Sequence, residues 1–436
     1  MELRAIPRLV VIQVIAVGAL TFLFAGDAWS ASYKVPYNFN SANAGPSSGL
    51  IVDGAGNAYG TTAQGGNDHS GTVYELSPTT GYHLLFAFSN AAHGGKQPQG
   101  NLAFDSAGNL YGTTVYGGTN KAACNNRGCG VVFELSPPSN GGLWTETVLY
   151  SFCSEANCED GANPQTGVVF DSTGNIYGTT MSGGNQNALC QGPGCGTVFE
   201  LQFSQSGWTE SILYKFMGNG VDGANPLGGL VFENTGILYG TVSSFGPLNG
   251  GSIFQLSPSE GTWVFEVIYA FNGFSGSKDG LGPEAGLVFD SEGNLYGTTL
   301  RGGAFGSGEG SGFGTVFELS PGTGGWTEKI LYSFAGSTDG AEPESSVVLD
   351  SSGNLYGTTF AGGEPTGCSK SGCGTVYKLA PNQGGQWTES IFRFPVDGAL
   401  GLQPAAPLIL DAGGKVYGTT TKGGRNGDGV MFQIIP

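Results

Sequence analysis

Positive charge is scarce in this chain, and charge of any kind is sparse. Lys and Arg number 16 in 436 residues, all charged residues make up 11 %, and the formal net charge is −18. No basic run occurs, so there is no surface able to track a phosphate backbone, and neither nucleic acid nor an anionic membrane is expected as a partner. Cationic ligands, neutral glycans and divalent cations stay compatible with this balance. Catalytic signatures are as rare as charge. There is no His-Glu-x-x-His, no phosphate loop and no cofactor fingerprint. Gly45-Pro-Ser-Ser-Gly49 matches the nucleophile elbow in letters. That motif needs a helix after its turn, and none is expected in this low-complexity loop.

Long apolar runs are confined to the start. Arg4 and Arg8 precede an apolar core from Leu9 to Gly26, and Ala28-Trp29-Ser30 offers small residues for cleavage. This reads as an export signal over residues 1–30, leaving a mature chain of 31–436 with no membrane span. Retention as an anchor is the rival, because the apolar core is just long enough to cross a bilayer.

Cysteine is limited to eight residues, all in Cys-x4-Cys pairs: Cys124/Cys129, Cys153/Cys158, Cys190/Cys195 and Cys368/Cys373. An even count in an exported chain reads as disulfides. Each would close a short loop and contribute about 2 kcal/mol by the chain-entropy argument, enough to pin a loop but not to hold a fold. A zinc site shared by two pairs is the alternative; it would leave the Cys368 pair over.

Glycine, by contrast, is abundant at 80 residues, and it sits in a repeat. Tyr-Gly-Thr recurs at Tyr59, Tyr111, Tyr177, Tyr239, Tyr296, Tyr356 and Tyr417, spaced 52 to 66 residues apart. A period of this size marks a repeat array or a propeller. The sixth unit shows four β-rich runs: Ser346 to Asp350, Leu355 to Thr359, Gly374 to Leu379 and Trp387 to Phe394. Gly, Asn, Ser and Pro punctuate them, and an Asp-Ser-x-Gly-Asn hairpin joins the first two. Runs such as Gly167 to Phe170 and Ile330 to Phe334 are apolar on successive residues, which suits sheets stacked face to face around an axis.

The last unit stops after its third run, at Gly429 to Ile435, and the missing fourth stands at the other end as Ser32 to Phe39. The expectation is therefore an all-β, seven-bladed β-propeller of four-stranded blades, closed by the N-terminal strand completing the last blade.

The repeating unit Gly-Asn-Leu-Tyr-Gly-Thr-Thr, Gly-Gly, Gly-Thr-Val-Phe-Glu-Leu-Ser-Pro, Gly-Trp-Thr-Glu, Leu-Tyr-Ser-Phe resembles the GloVer tandem-repeat family of exported bacterial proteins, from Ser32 to Pro436. The resemblance implies a secreted β-propeller. It supplies no catalytic residues, because fold alone does not give function.

Loops after the second and fourth runs open on one face, which carries the Gly-Gly loops and every cysteine pair. An Asp-Gly signature before the innermost run recurs there at Asp160, Asp222, Asp279, Asp339 and Asp397. A carboxylate ring of this kind is a candidate Ca²⁺ site; the plainer reading is that Asp shapes its own turn. Residues present in every blade read as architecture, including Glu75, Glu134, Glu200, Glu318 and the Trp-Thr-Glu segments at Trp144, Trp208, Trp326 and Trp387. A site should break the symmetry instead. The loops of blades one and seven are short, and the low rim there gathers Asp68, His69, His93, Lys96, Lys422, Arg425 and Asp428 as candidate ligand-binding residues. The expected function is a secreted, extracellular or periplasmic binding or surface-scaffold protein that needs no cofactor, with a glycan or an envelope protein as partner. An enzyme acting on extracellular polysaccharide from the same face is the alternative.

Overall fold

Each Tyr-Gly-Thr phrase lies in the second strand of a four-stranded antiparallel sheet, and seven such sheets are arranged as a β-propeller. The computed structural model describes residues 27–28 and 31–435, except 67, 90–92, 121, 140, 187–189, 191–192, 275–277, 307–311, 364–367 and 369–371. The expected export signal therefore falls outside the described residues, apart from Asp27–Ala28, whose backbone pairs in parallel with Ser390 and Ile391. Blade one consists of Ile51–Val52, Ala58–Thr62, Thr72–Ser77 and Gly81–Ala87. Blade six, read in advance from its sequence, consists of Val348–Leu349, Leu355–Thr359, Thr375–Pro381 and Trp387–Arg393. Among the described residues, helix is limited to the single turns Ala123–Asn126 and Ala156–Cys158.

The ring closes as expected. Ile409–Leu410, Val416–Thr420 and Val430–Ile435 supply three strands of blade seven, and Ser32–Asn38 supplies the fourth. Ser32 pairs with Ile435 and Asn38 with Val430, so the two ends of the chain share one sheet. Burial is not uniform across a blade. Second strands such as Leu238–Val242 are buried at every position, whereas fourth strands such as Gly325–Ser333 alternate. Expected burial on both faces thus holds in the middle strands, while the short innermost strands, such as Val169–Phe170, are half-buried and the outermost strand meets water.

The Tyr-Gly-Thr phrase has a separate job for each residue. The tyrosine hydroxyl donates to the carboxylate of its own hairpin, as in Tyr111 to Asp105 at 3.2 Å and Tyr356 to Asp350 at 3.0 Å. The glycine faces an aromatic residue on the third strand, Phe133 opposite Gly112 and Phe254 opposite Gly240. A Cβ would stand 2.8 Å from the Phe133 ring at Gly112 and 2.5 Å from the Phe254 ring at Gly240, so no other residue fits. The first threonine reaches across to the next blade near the axis: Thr113 donates to the Thr166 carbonyl at 2.6 Å and Thr241 to that of Ala285 at 3.0 Å.

The third-strand ring that the glycine admits is also the contact between blades. A phenylalanine at the end of each fourth strand meets the third-strand aromatic of the following blade edge-on. The seven pairs are Phe39–Tyr74, Phe88–Phe133, Phe152–Phe199, Phe216–Phe254, Phe271–Phe317, Phe334–Tyr377 and Phe394–Phe432, with centroids 5.0 to 5.5 Å apart. This is the preferred edge-to-face geometry of aromatic pairs. Outside it, Trp263 leans on Tyr177 and Trp326 on Tyr239, while Trp144, Trp208 and Trp387 occupy the same place at their own junctions. These tryptophans pack at blade edges. Blade one has none, because its hairpin already closes at the Ser77–Gly81 pair. A hollow of about 500 Å³ lined by Leu76, Pro78, Tyr82, Tyr417 and Met431 remains at the seam with blade seven.

Two outcomes follow for denaturant unfolding. Phe317→Ala should cost about 3–5 kcal/mol, as expected for emptying a core aromatic site. Tyr377→Phe should cost nothing and stabilise by about 1 kcal/mol, because the buried Tyr377 hydroxyl has no partner among the described residues. A Tyr377→Phe variant clearly less stable than the parent would contradict this account of the junction. Deleting residues 31–39 should open the seventh blade and produce oligomers on size-exclusion chromatography, since a bare sheet edge is left.

Candidate functional site

Each blade enters its first strand through a residue, a proline and a third residue. The first of these is Gly45, Gln97, Asn163, Asn225, Gly282, Glu342 or Gln403, and all seven have positive φ, between 55 and 69°. Five are not glycine, so the conformation must be held from outside. The backbone N–H of each donates to a carbonyl in the loop of the preceding blade, among them Cys129, Cys195 and Cys373 for Asn163, Asn225 and Gln403. Three of the four disulfides thus sit on the carbonyls that anchor the next blade's entry.

The four disulfides pair as expected, Cys124–Cys129, Cys153–Cys158, Cys190–Cys195 and Cys368–Cys373. Sulfurs of Cys129, Cys153 and Cys158 lie within 4.8 Å of one another, but they are divided between two disulfides, which replaces the zinc alternative.

The residue after each proline faces the axis. Ser47, Gln99, Gln165, Leu227, Glu284, Glu344 and Ala405, one from each blade, line a central cavity of about 400 Å³. The backbone is repeated seven times here, yet the side chain changes almost every time. Two neighbouring blades present acids, Glu284 and Glu344, and two others present the amides Gln99 and Gln165. Burial pushes the Glu344 carboxyl up to about 7, and the Glu284 and Glu342 carboxylates add to it. Burial raises Glu284 as well; Arg301 draws it back and Glu342 pushes it further up. Near neutrality Glu344 therefore populates both a carboxyl that donates and a carboxylate that accepts. The Gly-Pro-Ser-Ser-Gly match belongs to this ring as its blade-one copy, and the Ser47 hydroxyl donates to the Pro98 carbonyl at 2.9 Å. A strand, Ile51–Val52, follows it, as the absence of an elbow requires.

The rim residues divide. Asp68, His69 and Lys96 line one cavity of about 270 Å³, together with Ser70, Gln97, Tyr116, Asn126 and Arg127. His93 is exposed and outside it. Lys422, Arg425 and Asp428 stay with blade seven, where the Arg425 N–H donates to Asn38 Oδ1 at 2.9 Å and the Asp428 carbonyl accepts from Gly45. Arg127 and Tyr116 were missed because they lie in blade two, whose tall loop did not look unusual.

The five Asp-Gly aspartates each serve their own junction. Asp160 accepts from the Tyr150 hydroxyl at 2.9 Å and the Ser154 N–H at 2.8 Å, and Asp222 from Tyr214 at 2.9 Å and the Met217 N–H at 2.8 Å. Asp279 and Asp339 accept likewise from Tyr269 and Tyr332, and Asp397 from the Ala399 N–H. Among the described residues, no three of these carboxylates share a common centre.

At three junctions a glutamate of the next fourth strand joins the pair, giving Asp160 with Glu210, Asp279 with Glu328 and Asp339 with Glu389. The Tyr332 hydroxyl reaches both Asp339 and Glu389, at 2.7 Å each. Burial, then the adjacent Asp, pushes Glu210 up to about 8, Glu328 to about 7 and Glu389 to about 9. At each of these junctions it is the glutamate that takes up the proton more readily, because ionising it would put a second negative charge beside the aspartate in a poorly hydrated site.

The sequence profile of the Gloeobacter/Verrucomicrobia repeat matches the chain three times, over residues 22–188, 124–310 and 277–436. No curated protein matches it. Among solved structures it is similar to a candidate 6-phosphogluconolactonase from Bacteroides uniformis, at 15 % identity over 89 % of this chain and 99 % of that one, with a TM-score of 0.51. It is also similar to a puromycin hydrolase, at 11 % identity over 87 % of this chain and 50 % of that one, with a TM-score of 0.52. The chain thus spans half the length of that hydrolase, and likeness at such identities shows the fold alone.

The raised glutamates make stability depend on pH in a defined sense. A carboxyl whose pKa is higher folded than unfolded stabilises while protonated, so its contribution is full below pH 4.5 and is lost as pH rises through about 9 for Glu389. Glu389→Gln should flatten this decline in a pH series of melting temperatures. An unchanged slope would mean that Glu389 is not protonated in the folded protein. The hairpin aspartates act in the opposite sense: burial notwithstanding, local hydrogen bonds hold Asp350 below its usual 3.8, and that contribution is lost only in acid.

Proposed function

Because the chain belongs to the Gloeobacter/Verrucomicrobia repeat family along nearly its whole length, we propose that it is an exported binding protein that takes a polyhydroxylated ligand, the end of a glycan chain, at the mouth of the propeller channel. One observation carries this reading. The residue after the entry proline varies between blades while the backbone around it repeats, and it puts Glu284, Glu344, Gln99 and Gln165 on one cavity. Amides and carboxyls each offer paired donors and acceptors, which match the vicinal hydroxyls of a sugar. An open cavity of about 400 Å³ lined by all seven blades admits a sugar residue more readily than the surface of an envelope protein. Four disulfides support an oxidising compartment outside the cytoplasm.

A second reading is favoured by Glu344, which burial holds close to neutral pH beside Glu284. A carboxyl in that state next to a second acid is the equipment of glycoside hydrolysis, with Glu344 as proton donor. The hydrolases that share the fold lend this no weight beyond architecture.

The test is depletion of the protein from solution by insoluble polysaccharides. Saturable depletion is expected with at least one of them, and Glu284→Ala with Glu344→Ala should weaken it at least about tenfold, as for loss of hydrogen bonds to charged groups. Undiminished depletion by the double variant would remove the channel mouth as the site. Depletion by whole envelopes but by no polysaccharide would move the ligand to a protein. Release of reducing ends, abolished by Glu344→Gln, would replace binding by hydrolysis.

A further inference from the structure

The rim cavity between blades one and two is built from three segments. Asp68, His69 and Ser70 come from the blade-one loop, Lys96 and Gln97 from the entry to blade two, and Tyr116, Asn126 and Arg127 from the blade-two loop. Arg127 is fixed within it. Its guanidinium lies 3.6 Å from the centroid of the Tyr116 ring and donates to Gln97 Oε1 at 3.2 Å. Stacking orients the plane, and the bond to Gln97 uses one of its five N–H donors.

The loop that presents Arg127 is held as firmly. Cys124, Asn125 and Asn126 have φ of 51, 59 and 60° in succession, inside the ring closed by Cys124–Cys129. The Arg127 carbonyl accepts from the Gly117 N–H at 3.0 Å, and its own N–H donates to Cys124 at 3.3 Å.

Charge makes the cavity unusual for this molecule. The chain has 16 Lys and Arg against a net charge of −18, yet Lys96, Arg127 and His69 meet here around a single carboxylate, Asp68. A fixed planar guanidinium beside an ammonium suits a planar or tetrahedral oxyanion, which Arg binds through two parallel hydrogen bonds. We propose that the rim cavity binds an oxyanion group, a carboxylate or a sulfate ester, carried on a sugar. Gln97 lines this cavity and Gln99 the channel, with only Pro98 between them. A chain bearing acidic groups would pass from one to the other along that segment. The sugar part of the proposal rests on the channel-mouth reading, whereas the oxyanion part does not.

Calorimetric titration at low ionic strength, with the disulfides intact, tests it using glucuronate, inorganic sulfate and glucose. Glucuronate is expected to saturate one site, sulfate to compete for it, and glucose to do neither. Arg127→Gln and Lys96→Gln should each weaken glucuronate at least about tenfold. Lys415→Gln, a cation paired to Asp411 in a distant hairpin, should leave it unchanged. Sulfate binding as tight as glucuronate, and lost in Arg127→Gln, would keep the oxyanion site and overturn the sugar. No saturable binding of either anion, or equal binding by Arg127→Gln, would overturn the site itself. Both readouts are independent of whether a neutral glycan occupies the channel.

Discussion

One contact repeated seven times underlies everything else in this propeller: a phenylalanine at the end of each fourth strand, edge-on to a third-strand aromatic in the next blade. An aromatic pair of this geometry is worth roughly 0.5–1.5 kcal/mol beyond the area it buries. Its larger effect is geometric. The third-strand ring can lie flat in its own blade only because the residue opposite is glycine, and that glycine is the middle of Tyr-Gly-Thr. The tyrosine beside it ties down the outer hairpin and the threonine ties down the next blade near the axis. The most repeated phrase in the chain is therefore one spacing device, and its presence in every blade rules it out as a site.

A fold held this way leaves its inner rim free to vary. The residue after the entry proline does not touch the aromatic junction, so its identity can change without loosening a blade. That is where acids and amides replace one another around the axis. The entry backbone has positive φ at every blade, strained at the five where the residue is not glycine, and is held by a carbonyl from the loop before it. Where that carbonyl belongs to a cysteine, the disulfide stiffens a contact that positions the channel residues. The small loops closed by disulfides thus act on the geometry of the mouth more than on global stability.

Acidic composition shows itself in two ways. Hairpin aspartates are satisfied by local donors and stay ionised, whereas burial, then the adjacent aspartate, raises the glutamates at three outer junctions. The first group stabilises above acid pH, while the second contributes fully only below pH 4.5 and is lost as pH rises through about 7 to 9, so the two act in opposite directions. Positive charge is scattered, and Lys96 with Arg127 is a local pairing of two cations at the rim of blades one and two.

The period of Tyr-Gly-Thr and the split last blade were enough to determine seven four-stranded blades and their closure by Ser32–Asn38, because strand alternation and turn chemistry are local properties. The pairing of the cysteines was legible for the same reason, each partner being five residues away. The channel ring was legible in principle, as the one position after a recurring proline that does not recur, but nothing local says that this position faces the axis. The rim cavity needed the tertiary structure entirely. Asp68, His69 and Lys96 stand out in the sequence by their rarity, while Arg127 and Tyr116 come from another blade's loop, and Lys422, Arg425 and Asp428 stay with blade seven outside this cavity. Which side chains meet across blades depends on how seven nearly equal units are turned about an axis, and that rotation is set by aromatic packing between sheets and not by any one of them.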